Sequence, residues 1–166
     1  MKRGFTLLEV LIVVSIIAIL GAASALGVSA ARSKMRDARR LSDMRQLQSA
    51  LEDYYKEFNQ YPTGEGLWLG EEGKSACLSS AGFSASCQGA SRVFLSRVSR
   101  EYTAGISSAV RCGVPPAAGY CYTAKEGGAS YRVGFELEHG FAEANISEGP
   151  NCLIPEVGIR SGACPE

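Results

Sequence analysis

From Phe5 to Ala31 the chain carries one ionisable residue, Glu9, in an otherwise apolar or small-residue run. Apolar side chains fall on every side of the implied helix, so this stretch predicts burial all round. It would be about 40 Å long at 1.5 Å per residue, more than the ~30 Å hydrocarbon core of a bilayer. From Arg32 the pattern changes. Met35, Ala38, Leu41, Met44, Leu47, Leu51, Tyr54 or Tyr55, and Phe58 recur every three or four residues, and Asp37, Arg40, Asp43, Glu52 and Lys56 take the other face. That period belongs to an amphipathic helix with one apolar stripe. No proline precedes Pro62, so the two halves read as one helix from about Phe5 to Phe58, near 80 Å long. Asn59, Pro62 and Gly64 end it.

Beyond Pro62 the composition shifts to Gly, Ser, Ala and Cys. Residues Thr63–Ser91 read mostly as loop, Ser91–Tyr102 as a short helix or turn, and Gly113–Gly119 as a loop around Pro115 and Pro116. The clearest strands are Tyr120–Ala124 and Ser130–Glu138, joined at the Gly127-Gly128 turn signal. In the second, Tyr131, Val133, Phe135 and Leu137 alternate with Arg132, Gly134, Glu136 and Glu138, which predicts one buried and one wet face. The buried face is expected to cover the stripe on the helix. Phe141–Ile146 is a weaker strand candidate, and Cys152–Cys164 reads as a loop. The fold class is α+β: a long N-terminal helix packed on a small antiparallel sheet with clamped loops.

Charge and cysteine content narrow the function. There are 17 basic and 17 acidic residues, a balance that argues against a dedicated nucleic-acid binder. Arg92, Arg97, Arg100 and Arg111 form no persuasive patch from their spacing. The six cysteines, Cys77, Cys87, Cys112, Cys121, Cys152 and Cys164, all lie on one side of the apolar run. That placement reads as disulfides in an oxidising compartment. Fifteen pairings exist in principle. Grouping along the chain favours Cys77–Cys87, Cys112–Cys121 and Cys152–Cys164. Each short loop would be worth about 2.5–3 kcal/mol in the chain-entropy account. Zinc is disfavoured, with no C-x-x-C pair and His139 as the single histidine.

Two orientation signals oppose each other. Lys2 and Arg3 would lie inside by the positive-inside rule, yet Arg32, Lys34, Arg36, Arg39 and Arg40 crowd the other flank. The six cysteines point to an external C-terminal region, against the charge count. A secretory signal peptide has an apolar region of about 7–15 residues, shorter than this one, so a retained anchor is the better reading.

Glu9 is the anomaly, because a carboxylate in a membrane span costs roughly 2.5–3.5 kcal/mol on insertion scales and usually has a partner. Snorkelling to the interface is the plain alternative. The segment Lys2-Arg3-Gly4-Phe5-Thr6-Leu7-Leu8-Glu9 closely resembles the processing site of type IV pilins and type II secretion pseudopilins. Similarity continues through Ala31–Lys34, Arg36–Arg40, Leu41–Gln48, Tyr54-Tyr55 and Gln60-Tyr61-Pro62. The resemblance implies cleavage by a prepilin peptidase between Gly4 and Phe5 and methylation of the new Phe5 amine. It implies that Glu9 meets the Phe5 amine of a neighbouring subunit when the helices bundle into a filament. It divides the chain into a leader (1–4), a transmembrane and assembly half-helix (5–31), an amphipathic half-helix (32–58) and a globular head (59–166). The implied partners are the peptidase, a pilus or type II secretion assembly machine, further copies or related pilins, and membrane lipid before assembly. The implied location is the cytoplasmic membrane with the head outside, then an extracellular pilus or periplasmic pseudopilus. Many major pilins have a proline in the membrane half; this chain has only Gly21 and Gly27 there.

No catalytic arrangement is legible: with one histidine and paired cysteines there is no nucleophile–base set, and no glycine-rich phosphate loop opens a helix. His139 reads as a surface residue, Glu71-Glu72 as a solvated loop, and Asn145-Ile146-Ser147 as a weak glycosylation pattern. The C-terminal tail has few acids, so the calcium site of some pseudopilins does not carry over. No cofactor or metal is expected. The expected function is therefore a structural filament subunit, with a pseudopilin as the near alternative. A membrane-anchored adhesin or receptor domain is the alternative of another class.

Overall fold

The computed structural model describes residues 6–101 and 104–165. One helix, α1 (Leu7–Phe58), is 52 residues long. Thr6 caps its start in extended conformation, and Asn59 ends it at φ 53° with its N–H donating to Tyr55 O at 2.7 Å. Asparagine tolerates this left-handed position better than most residues. The head follows as ten short strands: β1 (Leu67–Trp68), β2 (Cys77–Ser79), β3 (Gly82–Ser84), β4 (Val93–Leu95), β5 (Arg111–Cys112), β6 (Ala117–Ala118), β7 (Cys121–Lys125), β8 (Ser130–Leu137), β9 (Gly149–Ile154) and β10 (Gly158–Ser161). The main sheet is antiparallel in the order β1-β7-β8-β9-β10. β3-β2-β4 form a second sheet and β5-β6 a hairpin. The protein is α+β, with the long apolar helix packed on small antiparallel sheets.

The core sits between the C-terminal half of α1 and one face of the main sheet. Leu41, Met44, Leu47, Ala50, Leu51 and Tyr54 from α1 meet Tyr131, Val133, Phe135 and Leu137 of β8, together with Tyr122 and Leu153. Aromatic rings close the far end, where Tyr61 lies edge-on to Tyr131 at 4.6 Å and Tyr54 to Phe94 at 5.3 Å. Tyr122 anchors the turn after α1 by donating to Pro62 O at 2.6 Å. Disulfides join Cys77 to Cys87, Cys112 to Cys121 and Cys152 to Cys164. The first and third tie a loop cysteine, Cys87 or Cys164, to a strand, and the second joins the β5-β6 hairpin to β7, so irregular glycine- and serine-rich chain is held against the sheets.

Several sequence expectations change. Residues Thr63–Ser91 contain three short strands, β1 to β3, rather than loop alone. Ser91–Tyr102 holds the strand β4, which pairs with β2, rather than a helix. The Cys152–Cys164 region is the β9-β10 hairpin edge of the main sheet. Phe141–Ile146 closes on itself through one bridge between its ends around a single 3-10 turn, so it is not a strand. The second face of β8 is not wet. Glu136 is fully buried, because the 104–112 segment lies over it: Ser107 Oγ and Val110 N donate to its carboxylate at 2.7 and 2.6 Å.

Along α1 the stripe also shifts. Met35 and Ala38 are exposed, whereas Asp37 and Arg40, expected on the wet face, are buried. The covered face runs Ser33, Asp37, Arg40, Met44, Leu47, Leu51, Tyr54, a three-and-four spacing that stays under the head. Its upper part is polar because Glu101, Ala104 and the turn after β8 reach α1 there with carboxylates, a carbonyl and backbone N–H groups.

Candidate assembly segment and helix–head junction

Two parts of the molecule carry chemistry beyond packing. The first is the start of α1. Each described side chain from Thr6 to Arg32 is exposed. Twelve large apolar ones lie between Leu7 and Val28. At about 1.5–3 kcal/mol per side chain, leaving them in water costs roughly 20–35 kcal/mol, so this half-helix requires lipid or other helices around it. Its length and composition suffice to cross a membrane, which fits a single-pass anchor. Glu9 sits in the first turn of this apolar rod and closes a capping box. Its carboxylate accepts from Thr6 N and from Thr6 Oγ1, both at 2.8 Å, and Thr6 Oγ1 accepts from Glu9 N at 3.3 Å. The reciprocal bonds satisfy backbone donors that a helix start otherwise leaves open. They also place the carboxylate at the N-terminal tip, beside the position the chain enters from. Gly4 and Phe5 lie outside the described residues.

The second part is the junction between α1 and the head, where sequence reasoning placed solvent. Asp37, 1% exposed, accepts from Glu138 N at 2.8 Å, from His139 N at 2.9 Å and from Arg40 Nη1 at 2.8 Å. The turn that aims those two N–H groups depends on Gly140, whose φ is +70° and where a Cβ would stand 2.5 Å from Ile146 O. Arg40, also 1% exposed, further donates to Glu138 Oε1 and Ala104 O at 2.9 Å and lies 3.8 Å from Glu101 Oε1. Arg36 clamps Glu138 with two bonds. His139 is exposed, but its Nε2 is 3.0 Å from Ser33 Oγ.

This network is a polar lock in the low-dielectric seam between helix and head. Burying charge is costly unless each group is paired and hydrogen-bonded, and here the partners are supplied from both sides. The Arg36 hydrogen bonds, with help from Arg40, hold the Glu138 carboxyl below its usual range. Glu101 goes the other way: burial pushes it up to about 7, opposed by the Glu136 N–H and Arg40. Burial and Asp43 raise the Tyr120 phenol, which therefore stays protonated and donates to Asp43 at 3.0 Å.

A pH dependence follows. Glu101 holds its proton more tightly folded than unfolded, so its contribution to stability is complete below about pH 4.5 and is lost as pH rises through about 7. Urea unfolding is expected to show stability falling between about pH 5 and 7 by on the order of 3 kcal/mol. Glu101→Gln should flatten that slope. A wild-type slope of the opposite sign in this window would contradict the assignment.

Three of the four arginines considered for a nucleic-acid patch are engaged within the head or with α1. Arg92 pairs with Glu57 at 2.7 Å, Arg100 stacks 4.5 Å over Trp68, and Arg111 donates to Pro116 O at 3.0 Å.

An anchor-length apolar helix with a capped carboxylate at its tip, locked by its amphipathic half to a disulfide-clamped head, makes an α+β, pilin-like architecture that fits a single-pass membrane anchor. Residues 1–25 match the prokaryotic N-terminal methylation motif, the prepilin signature of type IV pilins and pseudopilins. The chain thus carries, over its first 25 residues, the N-terminal signature of a prepilin peptidase substrate. No curated protein and no solved structure matches the chain.

Proposed function

We propose that this chain is a subunit of a type IV pilus-like filament. A prepilin peptidase cuts between Gly4 and Phe5 and the Phe5 amine is methylated. The processed chain waits in the cytoplasmic membrane with its head outside, and an assembly machine extracts it into a bundle of α1 helices. Residues 5–31 serve as anchor and then as filament core, residues 32–58 as the spine of the head, and residues 59–166 as the outer surface. The observation that carries this reading is Glu9, a carboxylate at the tip of an exposed apolar helix within the methylation motif. A simple anchor gains only a helix cap from that carboxylate, whereas a bundle can also use it against the neighbour's Phe5 amine and thereby set the axial register. Three disulfides in the head support an extracellular destination, where reducing systems are absent.

Shearing intact cells separates the versions of this reading. A pilus subunit is expected in abundance in the sheared surface fraction, as filaments visible by electron microscopy. Processed protein confined to the cell envelope would instead assign it to a periplasmic pseudopilus. Unprocessed protein in the membrane alone would leave an anchored adhesin or receptor domain and overturn the proposal.

A further inference from the structure

Just beyond the apolar half of α1 a groove of about 430 Å³ opens between helix and head. Arg32, Arg36, Arg39 and Arg40 line it from α1, and Arg100 and Tyr120 from the head. Arg32, Arg36 and Arg39 are spaced by four and three and share one face, with Arg40 at its edge toward the head. Arg36 and Arg40 are committed to Glu138 and Asp37, and Arg100 to the Trp68 ring. The carboxylate lining the groove, Asp43, already accepts the Tyr120 hydroxyl. Arg32 and Arg39 are exposed and have no ion-pair partner among the described residues. Between them Met35, also in the groove, is 56% exposed.

Position selects the occupant. A hydrocarbon core of ~30 Å takes about 20 helical residues. Counted from Val10, just past Glu9, it ends near Ser29, less than one turn before Arg32. Arg32 to Arg39 then rise through about 10 Å, which spans the headgroup layer on that side. Two cations there flank an exposed apolar side chain, and all three project from one face of the helix as it leaves the bilayer. A phosphodiester with a glycerol and acyl chains below it matches that arrangement in charge and in polarity.

We propose that this groove binds the headgroup of an anionic phospholipid from the membrane that α1 crosses. Arg32 and Arg39 hold the phosphate oxygens, and Met35 lies against the glycerol and upper acyl chain. The site rests on the membrane reading of α1 and not on filament assembly or on which side the head lies. A subunit entering a filament would exchange this headgroup for contacts with its neighbours.

The test uses the full chain in phosphatidylcholine nanodiscs doped with phosphatidylglycerol, extracted into mild detergent and weighed by native mass spectrometry. Phosphatidylglycerol should be retained in preference to phosphatidylcholine. R32Q/R39Q should lower its retention roughly twenty-five-fold, at about fivefold for each cation near an anionic surface. R45Q removes an exposed arginine of α1 outside the groove and should leave retention unchanged. Inorganic phosphate should fail to displace the lipid. Equal losses in R45Q and R32Q/R39Q, no loss in either, or ready displacement by phosphate would each overturn the proposal. So would unchanged lipid retention in R32Q/R39Q with lost self-association, which would give the groove to a second copy of the chain. A chain that does not float with liposomes at all would sink the membrane reading itself, a distinct result.

Discussion

Glu9→Leu is expected to leave the chain in the membrane and to abolish filaments. The substitution replaces a carboxylate at the end of the span with an apolar side chain, so membrane retention should equal or exceed wild type. It also removes the proposed partner of the neighbour's Phe5 amine. Leaving that amine unpaired in a helix bundle costs about 3–5 kcal/mol at each subunit contact, a factor of hundreds or more in the association constant. The penalty recurs at every addition, so polymer yield collapses rather than declines. The Thr6 capping bonds are lost too, but a cap contributes only about 1 kcal/mol and α1 is held by lipid on one half and by the head on the other. Membrane fractionation and microscopy of sheared material check both parts. Filaments at wild-type abundance from the Glu9→Leu chain would remove the assembly role. Glu9→Gln sharpens the result: it keeps an acceptor for the cap and removes the charge, so it too should fail to polymerise.

Arg40→Met should loosen the head from α1. Arg40 is almost fully buried and bridges Asp37, Glu138 and the carbonyl of Ala104, close to Glu101. Methionine fills much of the space but leaves buried carboxylates without their shared cation. Breaking such a network by removing one partner costs about 3–5 kcal/mol. For a unit of this size that is a fall of roughly 10–20 °C in Tm. The apolar core around Leu51 and Phe135 remains, so the head should still fold at low temperature. Acid should partly rescue the variant, since protonating Glu138 removes uncompensated charge. A variant within a degree or two of wild type would show that the lock adds nothing to the apolar contacts.

How much was legible in the sequence depends on the length over which a pattern repeats. The 52-residue helix repeats its spacing many times, and the absence of proline before Pro62 makes its continuity readable. β8 alternates over eight residues, so it and its hairpin partner β7 stand out. Strands of two or three residues, such as β1 and β2, contain no full repeat and sit among glycines and serines. β9 contains Pro150, which ordinarily argues against a strand, yet it pairs opposite Glu136. The buried junction was illegible for another reason. Asp37 and Arg40 look like solvent-facing charges until Glu101, Ala104 and Glu138 arrive from 61 to 101 positions away in the chain. The same holds for Glu136, whose partners lie in an irregular segment with no pattern of its own. Glu9 was legible because an isolated carboxylate in an apolar run is conspicuous without any structure, and the capping box with Thr6 adds its local geometry.

The intact mass of the protein recovered from cells, taken with and without reduction, tests the central claim most directly. The account predicts a chain beginning at Phe5, carrying one added methyl group and gaining six protons on reduction as three disulfides open. A chain that still carries Met1–Gly4 in cells with an active prepilin peptidase would contradict it.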